Sequence, residues 1–458
     1  MSNGAAHWQQ RLGELATAHQ VPGASLAILD GDQVTTAACG VLNRDTAVAA
    51  TPGSVFQIGS VTKVWTTTLI MQLAEQGRLD LDAPVAEVLP ELVLATPGAT
   101  GQVTVAQLLC HTSGIDGDLF DDTGRGDDCV ARYVAACERL TLIHPPGATM
   151  SYCNAAFVIA GRIVERLTGG TWDAALRRGL IEPLGLRSTV TLPEEAIRYR
   201  AAFGHVGDDD EQKLARNWVM PRGAGPAGLI TATAGDVIEF ARLHLRGGLA
   251  ADGTRLLSAA GAAAMREPRV EVPGRHPAIG QRVGLGWLLS QWDGQEVFGH
   301  DGGTIGQYAF LRVLPSRGGA VCLLTNGGQA RRLYQELFAE LSGELWGVIM
   351  PAPAAPSAGP HAGTLAGLDG YQGRYERESI RIDVEAAAEG PVMTVTDTGP
   401  LADQIPDPVQ RLALTPADAG EFVTRLSDAE PWQPVVFYQL PSEERYVHFG
   451  GRATPRRS

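Results

Sequence analysis

The sequence predicts a mixed α/β fold, in the α+β sense: a mixed sheet flanked by helices with a helical subdomain, followed by a small antiparallel β-barrel-like domain. Three observations predict it. Strand patterns occur near residue 25 and again between 283 and 325, with helical periodicity between them, so one sheet must be assembled from distant segments. "MPAPAAPSAGPHAGTLAG" (350–367) is rich in Pro, Ala and Gly and has no apolar period, which reads as a linker. After it come only short alternating runs with turn residues between them. The boundaries that result are 1–350, a linker over 351–366, and a β domain over 367–458.

The elements follow in order. "GASLAILDGDQVTTAACGVL" reads as a hairpin turning at Asp30-Gly31. "VTKVWTTTLIMQLAEQG" reads as a helix capped by Ser60 and ended by Gly77. "YCNAAFVIAGRIVERLTGG" and "TAGDVIEFARLHLRGG" are two more helices. "VGLGWLLSQW", "EVFGHDGG", "YAFLRVLP" and "GAVCLLTN" are four consecutive strands, and "RRLYQELFAELSGELWGVI" is a closing helix. Beyond the linker, "GRYERESIRIDVEA", "PVMTVTDT", "RLALTP", "FVTRLS", "PVVFYQL" and "ERYVHFGG" carry the strands of the β domain.

Composition narrows the function. Of 458 residues 44% are hydrophobic and 19% charged, as in globular proteins. The net charge is −14 and no Lys/Arg cluster is visible, which argues against nucleic acid and against a membrane surface. The N-terminus lacks an apolar signal region and no stretch reaches spanning length, so a cytoplasmic location is expected. Six scattered cysteines without a CxxC pair read as reduced thiols. No HExxH or Cys/His cluster appears, so neither metal nor cofactor is expected. "DGDLFDDTGRGDD" (116–128) departs from EF-hand spacing and reads as a solvated acidic loop. "GDDDEQ" (207–212) reads as a surface loop. "GAGPAG" (223–228) matches Gly-x-Gly-x-x-Gly but follows no clear strand, and reads as a loop rather than a nucleotide site.

The chemistry centres on a lysine. The chain has only two, Lys63 and Lys213, among arginines that cannot lose a proton. Ser60 and Lys63 stand three apart at a helix start, so they share one face. The helix dipole and burial both lower a lysine there, and a neutral amine can take the proton from Ser60. Alone, Ser-x-x-Lys is a weak signal. "MSYCNAA" places Tyr152 and Asn154 just ahead of a helix; a phenol near a cation can act as a base, though a lone tyrosine more often only packs. "FGHDGGT" puts His300, which titrates near neutrality, on a strand whose Gly302 and Gly303 let an acyl group approach the backbone.

The order Ser-x-x-Lys, Tyr-x-Asn, His-x-Gly resembles the serine β-lactamase-like family: class C β-lactamases, DD-peptidases, D-aminopeptidases and family VIII carboxylesterases. "VPGASLAIL", "FQIGSVTK", "LLCHTSGI", "PPGATMSYCNAAFVIAGRIVERLTG", "IEPLGL", "GPAGLITATAGD" and "GHDGGTIG" resemble that family's segments in order, over about residues 7 to 346. "YQGRYE" (371–376) resembles the small lipocalin-like β-barrel often appended to these enzymes. The resemblance implies a β-lactamase/penicillin-binding-protein-like fold. It implies Ser60 as nucleophile, Lys63 as proton acceptor or shuttle, and Tyr152 as the base for Ser60 and later for water or an amine. It implies Asn154, His300 and Gly302 as substrate-binding, and the backbone N–H groups of Ser60 and Gly303 as the oxyanion hole. His111 in "LLCHTSG" is expected to be structural. Two positions depart from the pattern. Cys153 replaces a more usual serine or alanine and is expected to pack. His300 replaces the lysine of Lys-Thr-Gly, which removes a permanent cation and argues against true β-lactamase activity. The expected function is a serine acyl-enzyme catalyst on a small ester or amide. Water attack would make it an esterase, amidase or peptidase, and amine attack a transacylase. A catalytically silent binding module is the third reading, opposed by the intact Ser60, Lys63, Tyr152 and Asn154.

Overall fold

The computed structural model describes residues 3–457 except 120, 208–210, 277, 358–367, 369, 389, 400–401, 403–406, 418–420 and 428–429. Most of the expected linker, and the centre of the 207–212 loop, lie outside the described residues.

The N-terminal hairpin starts the central sheet. β1 (Gly23–Asp30) and β2 (Gln33–Gly40) pair antiparallel with Asp30 opposite Gln33. The turn is therefore Gly31-Asp32, one residue later than the sequence suggests. Gly31 supplies the positive φ, +60°, that a tight hairpin requires. Further strands are β3 (Val270–His276), β4 (Gly280–Val283), β5 (Leu288–Trp292), β6 (Gln295–Gly303), β7 (Tyr308–Leu314) and β8 (Gly319–Thr325). The sheet order is β2-β1-β8-β7-β6-β5-β4-β3, with Ala24 opposite Thr325. The expected assembly from distant segments is thus met by β1 pairing with β8.

Alternation decides the layers. Leu26 and Ile28 of β1 face one apolar cluster; Ala27 and Leu29 face the other. The long helices are α1 (Asn3–Ala18), α2 (Thr62–Glu75), α3 (Asn154–Thr168), α4 (Ala234–Leu245) and α5 (Ala330–Trp346). α1 and α5 cover the Leu26 face, with Leu12, Leu15, Leu333 and Leu337 in its cluster. α2, α3 and α4 belong to the other cluster, where Trp65 stacks on Phe240 at 3.9 Å between ring centres.

Three readings of the catalytic half need correction. Ser60 is not the cap of α2. The chain enters through a 3-10 turn at Gly59–Val61, and the residue before α2 is Val61, without a side-chain cap. Residues 223–228 are not an open loop but a 3-10 turn and the short helix Gly225–Gly228. Pro226 packs so closely on α3 that a Cβ at Gly161 would come within 2.2 Å of it. The stretch 116–128 is not uniformly solvated, since Asp116 and Asp118 are buried.

The C-terminal strands are β9 (Gly373–Arg377), β10 (Ile380–Ala387), β11 (Gly390–Asp397), β12 (Val409–Ala413), β13 (Thr415–Pro416), β14 (Phe422–Thr424), β15 (Gln433–Gln439), β16 (Arg445–Phe449) and β17 (Arg452–Pro455). They form two antiparallel sheets, β9-β10-β11-β12 and β13-β14-β15-β16-β17. Tyr375 bridges to Arg456, and β12 runs into β13 through Leu414, so the sheets curl into a barrel-like shape. Their core is separate: Tyr375, Val384, Met393, Phe422, Val435 and Val447.

Candidate active site

Ser60 stands on the 3-10 turn, its hydroxyl free of any capping bond to the helix. One turn further Lys63 is fully buried. Its Nζ lies 3.0 Å from Ser60 Oγ and donates to the Ala227 carbonyl at 2.8 Å. Burial, and then the positive charge of Arg452, pull Lys63 down to about 7. Near neutrality the amine therefore has a lone pair to offer Ser60 while an N–H stays on Ala227. Ala227 could not be found from the sequence, because a backbone acceptor leaves no side-chain signature.

Tyr152 stands close to Ser60, whose hydroxyl favours the phenolate. Its ring is held between Lys63 Nζ at 5.0 Å, the Arg452 guanidinium at 5.3 Å, and His111, stacked at 4.1 Å. Burial raises the phenol well above its ordinary value, more than Ser60 and Arg452 lower it. Tyr152 is thus a neutral phenol at rest. His111 has the structural place expected of it: its Nδ1 accepts from the Cys153 N–H at 3.0 Å. Cys153 is buried, and its sulfur caps α3 by accepting from Ala156 N at 3.3 Å, a role beyond mere packing. Asn154 opens α3 and donates to Asp118 Oδ1 at 3.2 Å.

His300 lies on β6, buried, 6.2 Å from the Tyr152 ring. Its Nδ1–H donates to the Asp301 carbonyl, and among the described residues its Nε2 has no partner. Burial, with Lys63 nearby, lowers His300 to about 3, so the ring is neutral. Gly302 and Gly303 press β6 against the serine turn. A Cβ on Gly302 would stand 1.9 Å from the Ile58 carbonyl oxygen and 3.1 Å from Ser60 N, which only glycine avoids. Gly59 takes a φ of +52° on the other side of that contact. The two backbone segments expected to form an oxyanion hole are therefore side by side.

The C-terminal barrel reaches the same place, which the sequence reading missed. In the turn after β16, the Gly451 carbonyl accepts from Tyr152 N at 2.9 Å. Arg452 donates Nη2 to Asp118 Oδ1 at 2.9 Å, and Ala453 N donates to Ser151 Oγ at 3.2 Å. Arg377 of β9 donates to Asp118 Oδ2 at 2.7 Å. Burial raises Asp118, but Arg452 and Arg377 outweigh it and hold the carboxyl at about 2. The arginine in "FGGRAT" is otherwise like the rest of the chain's arginines. The "GG" turn is its one local signal.

Among the described residues no helix is long and apolar enough to cross a membrane, and no group of three or more His, Cys, Asp or Glu could hold a metal ion.

The Beta-lactamase family profile matches residues 8–342. Penicillin-binding protein 4 of Amycolatopsis lactamdurans is 50% identical over 336 residues, which are 73% of this chain and 88% of that protein. Among solved structures, SurE aligns over 99% of both chains with a TM-score of 0.76 and 27% identity, so the similarity extends through the barrel. A D-stereospecific amidohydrolase from Streptomyces sp. aligns over 73% of this chain and 99% of its own, with a TM-score of 0.59 and 27% identity. The profile takes in each residue from Ser60 to Gly303 that the site brings together, and the chain belongs to the Beta-lactamase family.

Proposed function

We propose that this protein is a serine acyl-enzyme catalyst acting on an ester or amide. One observation carries the reading: a buried amine that can shed its proton near neutrality, Lys63 Nζ, stands 3.0 Å from Ser60 Oγ. In this reading Lys63 takes the Ser60 proton as Oγ adds to the substrate carbonyl carbon. The N–H groups of Ser60 and Gly303 receive the developing oxyanion. Tyr152, a neutral phenol beside Ser60, relays a proton to the leaving group as the tetrahedral adduct collapses to the acyl-enzyme. The base role that the resemblance implies for Tyr152 thus passes in the resting enzyme to Lys63. Water then attacks, the same groups return the protons, and the acid leaves. A D-configured residue beside the scissile carbonyl suits this reading: related proteins are a D-stereospecific amidohydrolase and SurE, solved with D-Leu. β-Lactam hydrolysis is not part of it, because His300 is neutral and Arg452, the cation that does reach the site, is engaged by Asp118.

Transfer to an amine is a second reading, favoured by His300. Its unpartnered Nε2 offers a lone pair that an incoming N–H can use. A cytoplasmic location belongs to that reading. Two experiments separate the possibilities. A fluorophosphonate probe should add one adduct to the intact protein, mapped to Ser60; absence of any adduct would leave a silent binding module. Hydrolysis of an activated ester in the presence of a panel of amines, D-amino acids included, should yield acid alone for a hydrolase and amide for a transacylase.

A further inference from the structure

Asp118 lies in the helical region, yet three hydrogen-bond donors and one further guanidinium nitrogen surround its carboxylate. Oδ1 accepts from Asn154 Nδ2 at 3.2 Å and from Arg452 Nη2 at 2.9 Å. Oδ2 accepts from Arg377 Nη1 at 2.7 Å and lies 2.6 Å from Arg452 Nε. Two of these residues come from the barrel and one opens α3. Asp118 and Arg377 are 9% and 10% exposed. A carboxylate removed from water to this degree is tolerated only when its partners are complete and well placed. One of the barrel strands, β17, also carries charge to the nucleophile's neighbour, since the Arg452 guanidinium stands over the Tyr152 ring.

We propose that Asp118 is a positioning residue for acyl transfer: it holds Asn154 on one side and Arg452 on the other, and so clamps Tyr152 between the catalytic half and the C-terminal barrel. Asp118 does not touch Ser60 and acts through those two residues. Arg377 pins the far oxygen of the carboxylate and keeps it from turning. The inference rests on the acyl-enzyme reading above.

The clamp also sets the charge around Lys63. That amine faces Arg452, Asp118, Cys153, His111, His300 and Tyr152. Of these, Arg452 and Asp118 carry the fixed charges. Arg452 lowers the lysine and Asp118 raises it. Neutralising Asp118 alone therefore leaves Lys63 in a more positive setting and lowers it further. Neutralising Arg452 alone does the opposite. A residue that merely held the fold together would move neither.

The test is the rate of Ser60 acylation by a fluorophosphonate, followed by intact mass across the acid and neutral pH range in the full chain. Asp118→Asn should slow acylation about ten- to a hundredfold, the cost of a loosened geometry. It should also shift the midpoint of the rise to lower pH. Arg452→Gln should shift that midpoint to higher pH. The double variant should return the midpoint toward wild type and lose less than the two single losses combined, because the pair acts as a unit. Arg377→Gln removes a clamp without touching Tyr152, and should slow acylation with little movement of the midpoint. It carries the test if Asp118→Asn does not fold. Single variants with wild-type rate and midpoint would overturn the proposal. So would rates that fall only in step with the folded fraction while the midpoint stays fixed. A wild-type chain that never acylates at Ser60 sinks the acyl-enzyme reading instead.

Discussion

At position 63 the side chain must be able to give up a proton, and this is where arginine and lysine part company. Lys63 sits at about 7 because burial, and then Arg452, disfavour its ammonium. Below that pH the amine is protonated and cannot accept from Ser60; above it the lone pair is free. Wild-type acylation should therefore rise with pH through about 7, measured as probe labelling rate against pH. Lys63→Arg keeps a charge that cannot be shed, and Lys63→Met keeps the unbranched chain without the amine. Both should acylate at least about a hundredfold more slowly, the low end for loss of a general base. An active arginine variant would reduce Lys63 to a mere charge. Ser60→Ala should abolish labelling and leave the melting temperature close to wild type, since the hydroxyl caps no helix. The Ser60–Lys63 pair was legible because one helical turn brings it together. Tyr152, Asn154 and His300 were legible only through their order along the chain. Asp118 and Arg452 were not, because their meeting depends on two segments some 330 residues apart, |i−j| = 334, and each alone looks like a surface charge.

At the scale of elements, the contact between the serine turn and β6 makes unequal demands on two adjacent glycines. A methyl at Gly302 would overlap the Ile58 carbonyl at 1.9 Å, so Gly302→Ala must push β6 off the turn. Its labelling should fall sharply, with a loss of about 1–3 kcal/mol of stability, the range for overpacking. A methyl at Gly303 meets nothing closer than the Tyr308 ring at 3.8 Å. Gly303→Ala keeps its N–H and should label within about tenfold of wild type, with ordinary melting. Equal damage from both would show that the contact is not what requires glycine. The long helices and the four consecutive strands could be read from their apolar runs between turn residues, although α2, β7 and β8 are buried on nearly every side. The segment 223–228 could not. Its Gly and Pro residues signal a loop, but Pro226 packed on α3 and Thr66 donating to the Pro226 carbonyl at 2.7 Å hold it as helical turns.

For the whole molecule, the join between the catalytic half and the barrel should be sensitive to pH. Asp116 accepts from Glu378 N across that join, and burial raises it to about 6 despite that bond and Arg377. Below the ordinary carboxylate range Asp116 is protonated in both folded and unfolded chains. Between there and pH 6 the unfolded chain ionises first, so stability falls as pH rises, and above pH 6 the whole penalty is present. Asp116→Asn should therefore gain about 3 kcal/mol at mildly alkaline pH and nothing in acid, by urea unfolding at the two pH values. The barrel's strands were legible from their alternation. Its place against Tyr152 was not, because docking of two cores depends on surfaces that no local pattern encodes. The sheet order has a last consequence, for synthesis rather than catalysis. β1 gains β2 within a few residues but must wait for β8 on its other side, since Ala24 pairs with Thr325. The hairpin leaves the ribosome early with one bare edge, and the chain must close a very long loop before that edge is covered. Refolding should accordingly be slow and concentration-sensitive, and conditions during that wait, rather than anything at Ser60, will set the yield of active protein.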